Sequence, residues 1–187
     1  MTQAPVITDP MARPEGIVET VKTYIALTKP RIIELLLITT VPSMVLAAGR
    51  WPSTWLVLAT LIGGSFSAAG ANAINSYVDR DIDPIMRRTS LRPLARKVVP
   101  PEHALRFGVV LGAIGFVWLW ATTNLLAATL STSALFFYVF VYSIWLKRST
   151  PQNIVIGGAA GAAPPVLGWT AVTGEIASDA LLLFLIM

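Results

Sequence analysis

Five apolar runs, each close to the length that crosses a bilayer, constrain the fold of this chain more than any other feature. They cover approximately residues 32–48, 55–78, 107–122, 125–146 and 154–172. A transmembrane α-helix needs about 20 mostly apolar residues. Only 13% of the 187 residues are charged, whereas ordinary soluble domains have about 25%. The ten-residue alternation of a membrane β-barrel is absent. The sequence therefore predicts an all-α, polytopic transmembrane helical bundle with five full spans.

The two ends of the chain differ from these spans. Residues 1–28 are polar, begin with several prolines, and match neither a secretory signal nor a mitochondrial transit peptide. We therefore predict a cytosolic N-terminal tail and an interfacial stretch over residues 1–28, and a transmembrane domain over residues 29–187. A sixth apolar run, residues 180–187, stops after 8 residues, which is too short to cross a bilayer. We expect this domain to be incomplete, with the chain cut inside a helix.

The basic residues predict the orientation of the bundle. If the tail is cytosolic, all but one of the 14 lysines and arginines fall on the cytosolic side, and the exception is Arg50. Cytosolic loops of membrane proteins carry such an excess of basic residues. The bias therefore predicts a cytosolic N-terminus, and it places the loop after residue 78 and the loop after residue 146 on the same side.

Four oxygen-bearing side chains follow the second span at helical spacing. On a helix, Asn75, Asn72, Asp79 and Asp83 fall at about 0°, 60°, 40° and 80°, whereas Asp81 points the other way. Carboxylates at i and i+4 repel each other, so a helix has no folding reason to align them. Carboxylates together with substrate phosphates are the usual ligands of Mg²⁺. This face predicts a magnesium site where the span meets water.

Basic residues surround this face in the sequence. Seven lysines and arginines lie between residues 79 and 106, and arginine presents a fork that matches phosphate oxygens. Acids and arginines at a membrane boundary fit a site for Mg²⁺ and a diphosphate whose lipid tail lies among the helices. With no cysteine and a single histidine, His103, the chain cannot supply a thiolate or multi-histidine metal site.

The same residues have simpler interpretations, and the pattern alone leaves them open. Basic residues in a cytosolic loop follow from topology, and charged residues after a span mark where the helix leaves the lipid. Lys147 and Arg148 fit that topological interpretation, and Tyr142 fits an anchor at the membrane interface.

The run N-x-x-x-D-x-x-x-D, followed by RRTSLRPL, resembles the first aspartate-rich motif of the UbiA superfamily of intramembrane prenyltransferases. Three stretches resemble the branch of this superfamily that farnesylates haem. They are LTKPRIIELLLITTVPSM, NAINSYVDRDIDPIMRRTSLRPLAR and YSIWLKRSTPQNIVIGGAAGAAPPVLGWTAVTG. The resemblance covers approximately residues 26–186 and implies a bundle of nine transmembrane helices around a central cavity.

The resemblance also implies roles for individual residues. Asn75, Asp79 and Asp83 would bind Mg²⁺, and Asp79 and Asp83 would act in catalysis together with Lys147. The residues implied to bind the diphosphate are Asn72, Asn75, Arg87, Arg88, Arg92, Arg148 and Tyr142. Related enzymes have a tyrosine and a lysine in Y-x-x-x-K spacing, and here Tyr142 and Lys147 are one residue further apart. A second acidic region of the superfamily would lie beyond Met187.

The implied reaction transfers a farnesyl group from farnesyl diphosphate to a vinyl group of haem b, which gives haem O. The implied surroundings are a bacterial plasma membrane, with haem A synthase or terminal oxidase assembly proteins as partners and no role for nucleic acid. Two alternatives stay open. One is a UbiA-type enzyme that prenylates a quinone precursor or another aromatic acceptor, and the other is a membrane transporter or scaffold that binds an ion.

Overall fold

The computed structural model describes residues 16–187, apart from the side chain of residue 36. Every regular element in this part of the chain is helical, which confirms the predicted all-α class. The predicted polar tail lies outside the described residues as far as residue 15. The helices are α1 Ile17–Thr28, α2 Pro30–Leu37, α3 Thr40–Ala48, α4 Thr54–Val78, α5 Pro101–Thr122, α6 Leu125–Phe136, α7 Lys147–Ser149, α8 Asn153–Thr173 and α9 Ser178–Ile186. A 3₁₀ turn, Asp79–Asp81, follows α4, and a π-helix, Phe137–Leu146, joins α6 to α7.

Five segments of the described chain are long and apolar enough to cross a membrane, as the sequence predicted. They are Pro30–Ala48, Thr54–Asp81, Pro101–Thr122, Leu125–Ser149 and Asn153–Thr173. The third begins six residues before the apolar run that predicted it, because the helix starts at Pro101 and includes polar residues of its first turns. Proline is favoured at the first position of a helix, where its missing N–H is not needed.

The first span is interrupted at residues 38 and 39, between α2 and α3. Pro42 explains the break, because it has no N–H to donate to the carbonyl of Ile38 and its ring crowds that carbonyl. The second half of the span ends at Gly49, whose φ of 63° is the left-handed conformation that commonly terminates helices.

The second span, α4, is the most buried of the five spans. Its glycines allow the backbone of α5 to touch it directly. A Cβ atom at Gly70 would lie 2.7 Å from the backbone oxygen of Gly108, and one at Gly115 would lie 2.9 Å from the backbone nitrogen of Ser67. Small residues at such contacts are typical of membrane helix pairs. The close contact, together with its burial, makes α4 the central helix of the described bundle.

Candidate functional site

The last two turns of α4 and the turns that follow it bring four polar side chains into the protein interior. Asn72, Asn75, Asp79 and Asp83 are exposed by 4%, 3%, 0% and 1%. The helix itself ends at Val78, so Asp83 lies beyond it in a turn and not on the continuous helical face that the spacing predicted. The backbone N–H of Asp83 nevertheless donates to the carbonyl of Asp79 at 2.9 Å, which keeps the two acids one turn apart.

Asp79 is the more deeply buried of the two acids, and a lysine contacts it. Lys147 Nζ lies 2.5 Å from Asp79 Oδ2, and Asn75 Nδ2 donates to the same oxygen at 3.0 Å. Asp79 Oδ1 is buried and has no hydrogen-bond partner among the described residues. A buried carboxylate oxygen without a partner is costly. This oxygen is therefore the natural acceptor for a ligand that enters the site.

Asp83 is held by Arg92 from the loop that follows. One guanidinium nitrogen of Arg92, Nη1, lies 2.9 Å from both Asp83 Oδ1 and Oδ2. Thr89 Oγ1 donates to the backbone carbonyl of Asp83 at 2.9 Å, which fixes the turn that carries the acid. Asp83, a predicted metal ligand, and Arg92, a predicted diphosphate ligand, are therefore already in contact.

Asn75 connects this cluster to two other parts of the chain. Its Oδ1 accepts from Lys29 Nζ at 2.7 Å, and its Nδ2 donates to Ser143 Oγ at 3.0 Å as well as to Asp79. Asn72 instead donates from Nδ2 to the backbone carbonyl of Thr28 at 2.9 Å. This bond holds the end of α1 next to the cluster, so Asn72 positions the chain just before Lys29.

Lys29 is a member of the site that the sequence did not predict. It has a φ of 54°, the left-handed conformation, between α1 and α2. Burial, with a smaller contribution from the nearby Arg92, lowers the pKa of Lys29 from 10.5 to about 8. A lysine directly before the proline that starts the first span was visible in the sequence. Its partner, Asn75, is 46 residues away, and no local pattern connects the two.

Three predicted diphosphate ligands lie elsewhere. Arg148 makes two hydrogen bonds to the carboxylate of Asp81, at 2.7 and 2.8 Å, and both side chains are solvent-exposed. Arg87 and Arg88 are exposed, and within residues 16–187 neither has a hydrogen bond or ion pair to Asp79 or Asp83. The structure therefore brings Arg92 and Lys147, but not these three arginines, to the buried acids.

A cavity of about 710 Å³ lies beside the cluster, between α4, α6, the π-helix, α8 and α9. Its wall is mostly apolar, and Asn72, Tyr138 and Tyr142 are among the polar residues that line it. The rings of Tyr138 and Tyr142 are stacked, with centroids 5.1 Å apart. Gly157 leaves room for the Tyr142 ring, which occupies the space that a Cβ atom would need. Asn72 therefore belongs both to the buried polar cluster and to the wall of the apolar cavity.

The residues of this cluster fit a divalent cation only together with a ligand from outside the described chain. No group of three or more His, Cys, Asp or Glu side chains in residues 16–187 is arranged to hold a metal ion. The carboxylates of Asp79 and Asp83, of which Asp79 Oδ1 is unpaired among the described residues, form an oxygen-only donor set together with the amide oxygen of Asn75. Mg²⁺ is commonly held by one or two carboxylates plus substrate phosphates. The donor set is therefore compatible with Mg²⁺ once a phosphate supplies the other ligands.

Comparison with known proteins identifies the class of this chain: residues 36–187 match the UbiA prenyltransferase family, and the chain belongs to that family. Members generally use divalent metal ions. The chain is 54% identical over 172 residues to a protein named Protoheme IX farnesyltransferase from Clavibacter michiganensis, covering 92% of this chain and 56% of the relative. The protein of that name from Mycolicibacterium smegmatis is 54% identical over 174 residues, covering 93% and 56%.

A third relative, Protoheme IX farnesyltransferase 2 of Saccharopolyspora erythraea, is 57% identical over 166 residues, covering 89% of this chain and 51% of the relative. The chain thus spans about half the length of the curated relatives it matches. No solved structure matches it.

Proposed function

We propose that this chain forms part of a prenyltransferase that moves a farnesyl group from farnesyl diphosphate to a vinyl group of haem b, giving haem O and diphosphate. One observation carries the proposal. Asp79 is fully buried near the apolar cavity that Asn72 and Tyr138 line, with Lys147 on one oxygen and no partner among the described residues on the other. The names of relatives that share 53–57% of its residues support the choice of haem b and the farnesyl group.

The charges of the cluster suit a diphosphate. Lys29, Lys147 and Arg92 contribute three positive charges, and Asp79 and Asp83 contribute two negative ones. Charged donors form roughly twice as strong a hydrogen bond to phosphate oxygens as neutral ones do. The cations are already held next to the acids, so a bound diphosphate would find them in place. Donors fixed in advance where charge develops are the main source of electrostatic catalysis.

We propose that Asn75, Asp79 and Asp83 hold the metal ion, and that the ion is Mg²⁺. When bound, Mg²⁺ would neutralise charge on the diphosphate oxygens. The three basic side chains act on the same leaving group from the protein side. Lys147 and Arg92 also orient the two acids, since each acid accepts a hydrogen bond from one of these cations.

The reaction begins at the allylic carbon of the farnesyl group. The C–O bond breaks, its electron pair leaves with the diphosphate, and the farnesyl carbon becomes cationic. The π electrons of the haem vinyl group then form the new C–C bond, and water adds to the resulting cation and loses a proton, which leaves the hydroxyl group. The apolar cavity would hold the tail and limit the access of water to the allylic cation before that bond forms.

We propose that the protein lies in the bacterial inner membrane with its N-terminus in the cytosol. All but one of its 14 basic residues then lie on the cytosolic side. The lipid bilayer would surround the five spans, and farnesyl diphosphate would reach the cluster from the cytosolic side. Haem A synthase or terminal oxidase assembly proteins are the proposed protein partners, because they would receive the product.

The test uses a full-length chimera in which this chain replaces the matching part of the Mycolicibacterium smegmatis relative. Membranes that contain the chimera are given farnesyl diphosphate with either haem b or a hydroxybenzoate. We expect haem O and diphosphate from haem b, and no prenylated hydroxybenzoate. Prenylation of the hydroxybenzoate alone would favour a quinone precursor as acceptor. Magnesium-dependent ion flux without diphosphate release would favour a transporter.

A further inference from the structure

The fourth span changes its helical type just before it reaches the charged cluster. Residues Phe137–Leu146 form a π-helix, in which hydrogen bonds connect residues five apart. The backbone N–H of Lys147 donates to the carbonyl of Tyr142, and Ser143 Oγ donates to the carbonyl of Tyr138 at 2.8 Å. π-Helices are rare, usually extend for a single turn, and occur frequently at functional sites. A segment of ten residues therefore needs an explanation.

The π-helix changes which side chains share a face. In an α-helix, residues five apart lie about 140° from each other around the axis. In a π-helix, whose hydrogen bonds join residues five apart, they lie on adjacent turns and on the same side of the helix. Tyr138 therefore shares a face with Ser143, and Tyr142 shares it with Lys147. With α-helical spacing, Tyr138 and Lys147 would lie on opposite sides of the helix.

The face of the π-helix that these four residues share contacts both the cavity and the charged cluster. Tyr138 and Tyr142 line the cavity as a stacked pair. Ser143 is fully buried and accepts a hydrogen bond from Asn75, and Lys147 contacts Asp79. One helix face thus supplies the aromatic wall of the cavity and two of the contacts that hold the charged cluster.

We propose that the π-helix over residues 137–146 is a positioning device that joins the charged cluster to the cavity. It sets Tyr138 and Tyr142 against the point where the prenyl tail leaves the diphosphate, while Ser143 and Lys147 hold the amide and the acid that would hold the metal ion for the diphosphate. Ser143 is a positioning residue, because it acts on the substrate through Asn75. This inference rests on the proposed function for the identity of the substrate, but the helical register does not depend on it.

The register can be measured with disulfides, because the chain has no cysteine of its own. Five residues of α-helix rise about 7.5 Å, which exceeds the Cα separation of about 7 Å that a disulfide can bridge. The test pair is Phe140→Cys with Trp145→Cys, two exposed positions five apart in the π-helix. The matched control is Val109→Cys with Ile114→Cys, two exposed positions five apart in α5.

Each double variant is oxidised in membranes, and its remaining thiols are alkylated and counted by mass spectrometry. A pair four apart in α5, Val110→Cys with Ile114→Cys, shows how far the oxidation proceeds. We expect the pair in the π-helix to cross-link as completely as this reference, and the pair five apart in α5 to keep its thiols. The proposal is overturned if the pair in the π-helix keeps its thiols while the reference pair cross-links.

The cross-linked pair also tests whether the π-helix is the working conformation. Both of its residues lie on the outer surface, so we expect the chimera with this disulfide to make haem O within about twofold of its reduced form. Activity that is lost on oxidation and returns on reduction would overturn the proposal. A parent chimera that makes no haem O counts against the proposed function instead, and the disulfide result then decides the register alone.

A second measurement addresses Ser143. We expect Ser143→Ala to lower kcat/KM for farnesyl diphosphate about tenfold without changing KM for haem b, and Ser143→Thr to restore most of it. The control is Ser65→Ala, because among the described residues the hydroxyl of Ser65 bonds only within its own helix, to the carbonyl of Leu61 at 2.7 Å. An unchanged kcat/KM in Ser143→Ala, or an equal rise of both KM values, would remove the positioning role.

Discussion

The ion pair of Asp79 and Lys147 gives the most quantitative prediction. The substitution Lys147→Met removes the cation and leaves Asp79, whose side chain is 1% exposed, with Asn75 as its only partner among the described residues. Removing one member of a buried ion pair costs about 3–5 kcal/mol. Lys147 is itself 20% exposed, so water can reach the vacated position, and we expect a cost of about 3 kcal/mol. In a chain of this length that cost lowers Tm by roughly 6–12 °C.

The double variant Asp79→Asn with Lys147→Met separates stability from activity. Without the buried charge, we expect it to recover most of the lost Tm, whereas haem O production stays absent because the acid and the cation are both gone. Tryptophan fluorescence during heating in detergent measures Tm. The control Lys22→Met removes a surface lysine paired with Glu19, and it should cost no more than about 1 kcal/mol. If Lys147→Met melts within about 2 °C of the parent, or the double variant melts as low as the single one, the argument from buried charge is wrong.

Three further predictions concern the chimera. Lys29→Met should raise KM for farnesyl diphosphate about tenfold or more, since hydrogen bonds to charged groups contribute about 1.5–3 kcal/mol; Lys22→Met should not, and equal values would exclude Lys29 from the site. Gly157→Ala should lower kcat/KM at least tenfold because an aromatic ring occupies its Cβ position, whereas Gly158→Ala, with open space there, should match the parent within twofold. Arg148→Ala removes an exposed ion pair, which contributes no more than about 1 kcal/mol, so Tm should fall by less than about 4 °C. A larger fall would show that the pair stabilises the fold.

The sequence predicted the parts of the fold that depend on hydropathy and on local spacing. Its apolar runs predicted the five spans. The helical spacing correctly separated Asp79, which is buried, from Asp81, which is exposed. Each of these features depends on residues within a single segment of the chain, so the local sequence is enough to predict it.

The sequence did not predict contacts between distant segments. Lys29 reaches Asn75 from the turn directly before the first span, and Ser143 reaches it from the fourth span. No local pattern indicates either contact. The π-helix was missed because its residues are as apolar as those of an α-helix, so hydropathy cannot distinguish the two. The pairing of Arg148 with Asp81 joins two segments 67 residues apart, and no local pattern indicates it.

The central claim is that the buried acids bind the diphosphate through a metal ion. The most direct test measures haem O production by the chimera with Asp79→Ala and, separately, with Asp83→Ala, in membranes where the amount of inserted protein is equal. Asp179→Ala is the control, because Asp179 is an exposed acid of α9. We predict a loss of at least about 100-fold in each site variant, the range for removing one electrostatic contact to a developing charge, and none in the control. Near-normal haem O production by both site variants would contradict the account.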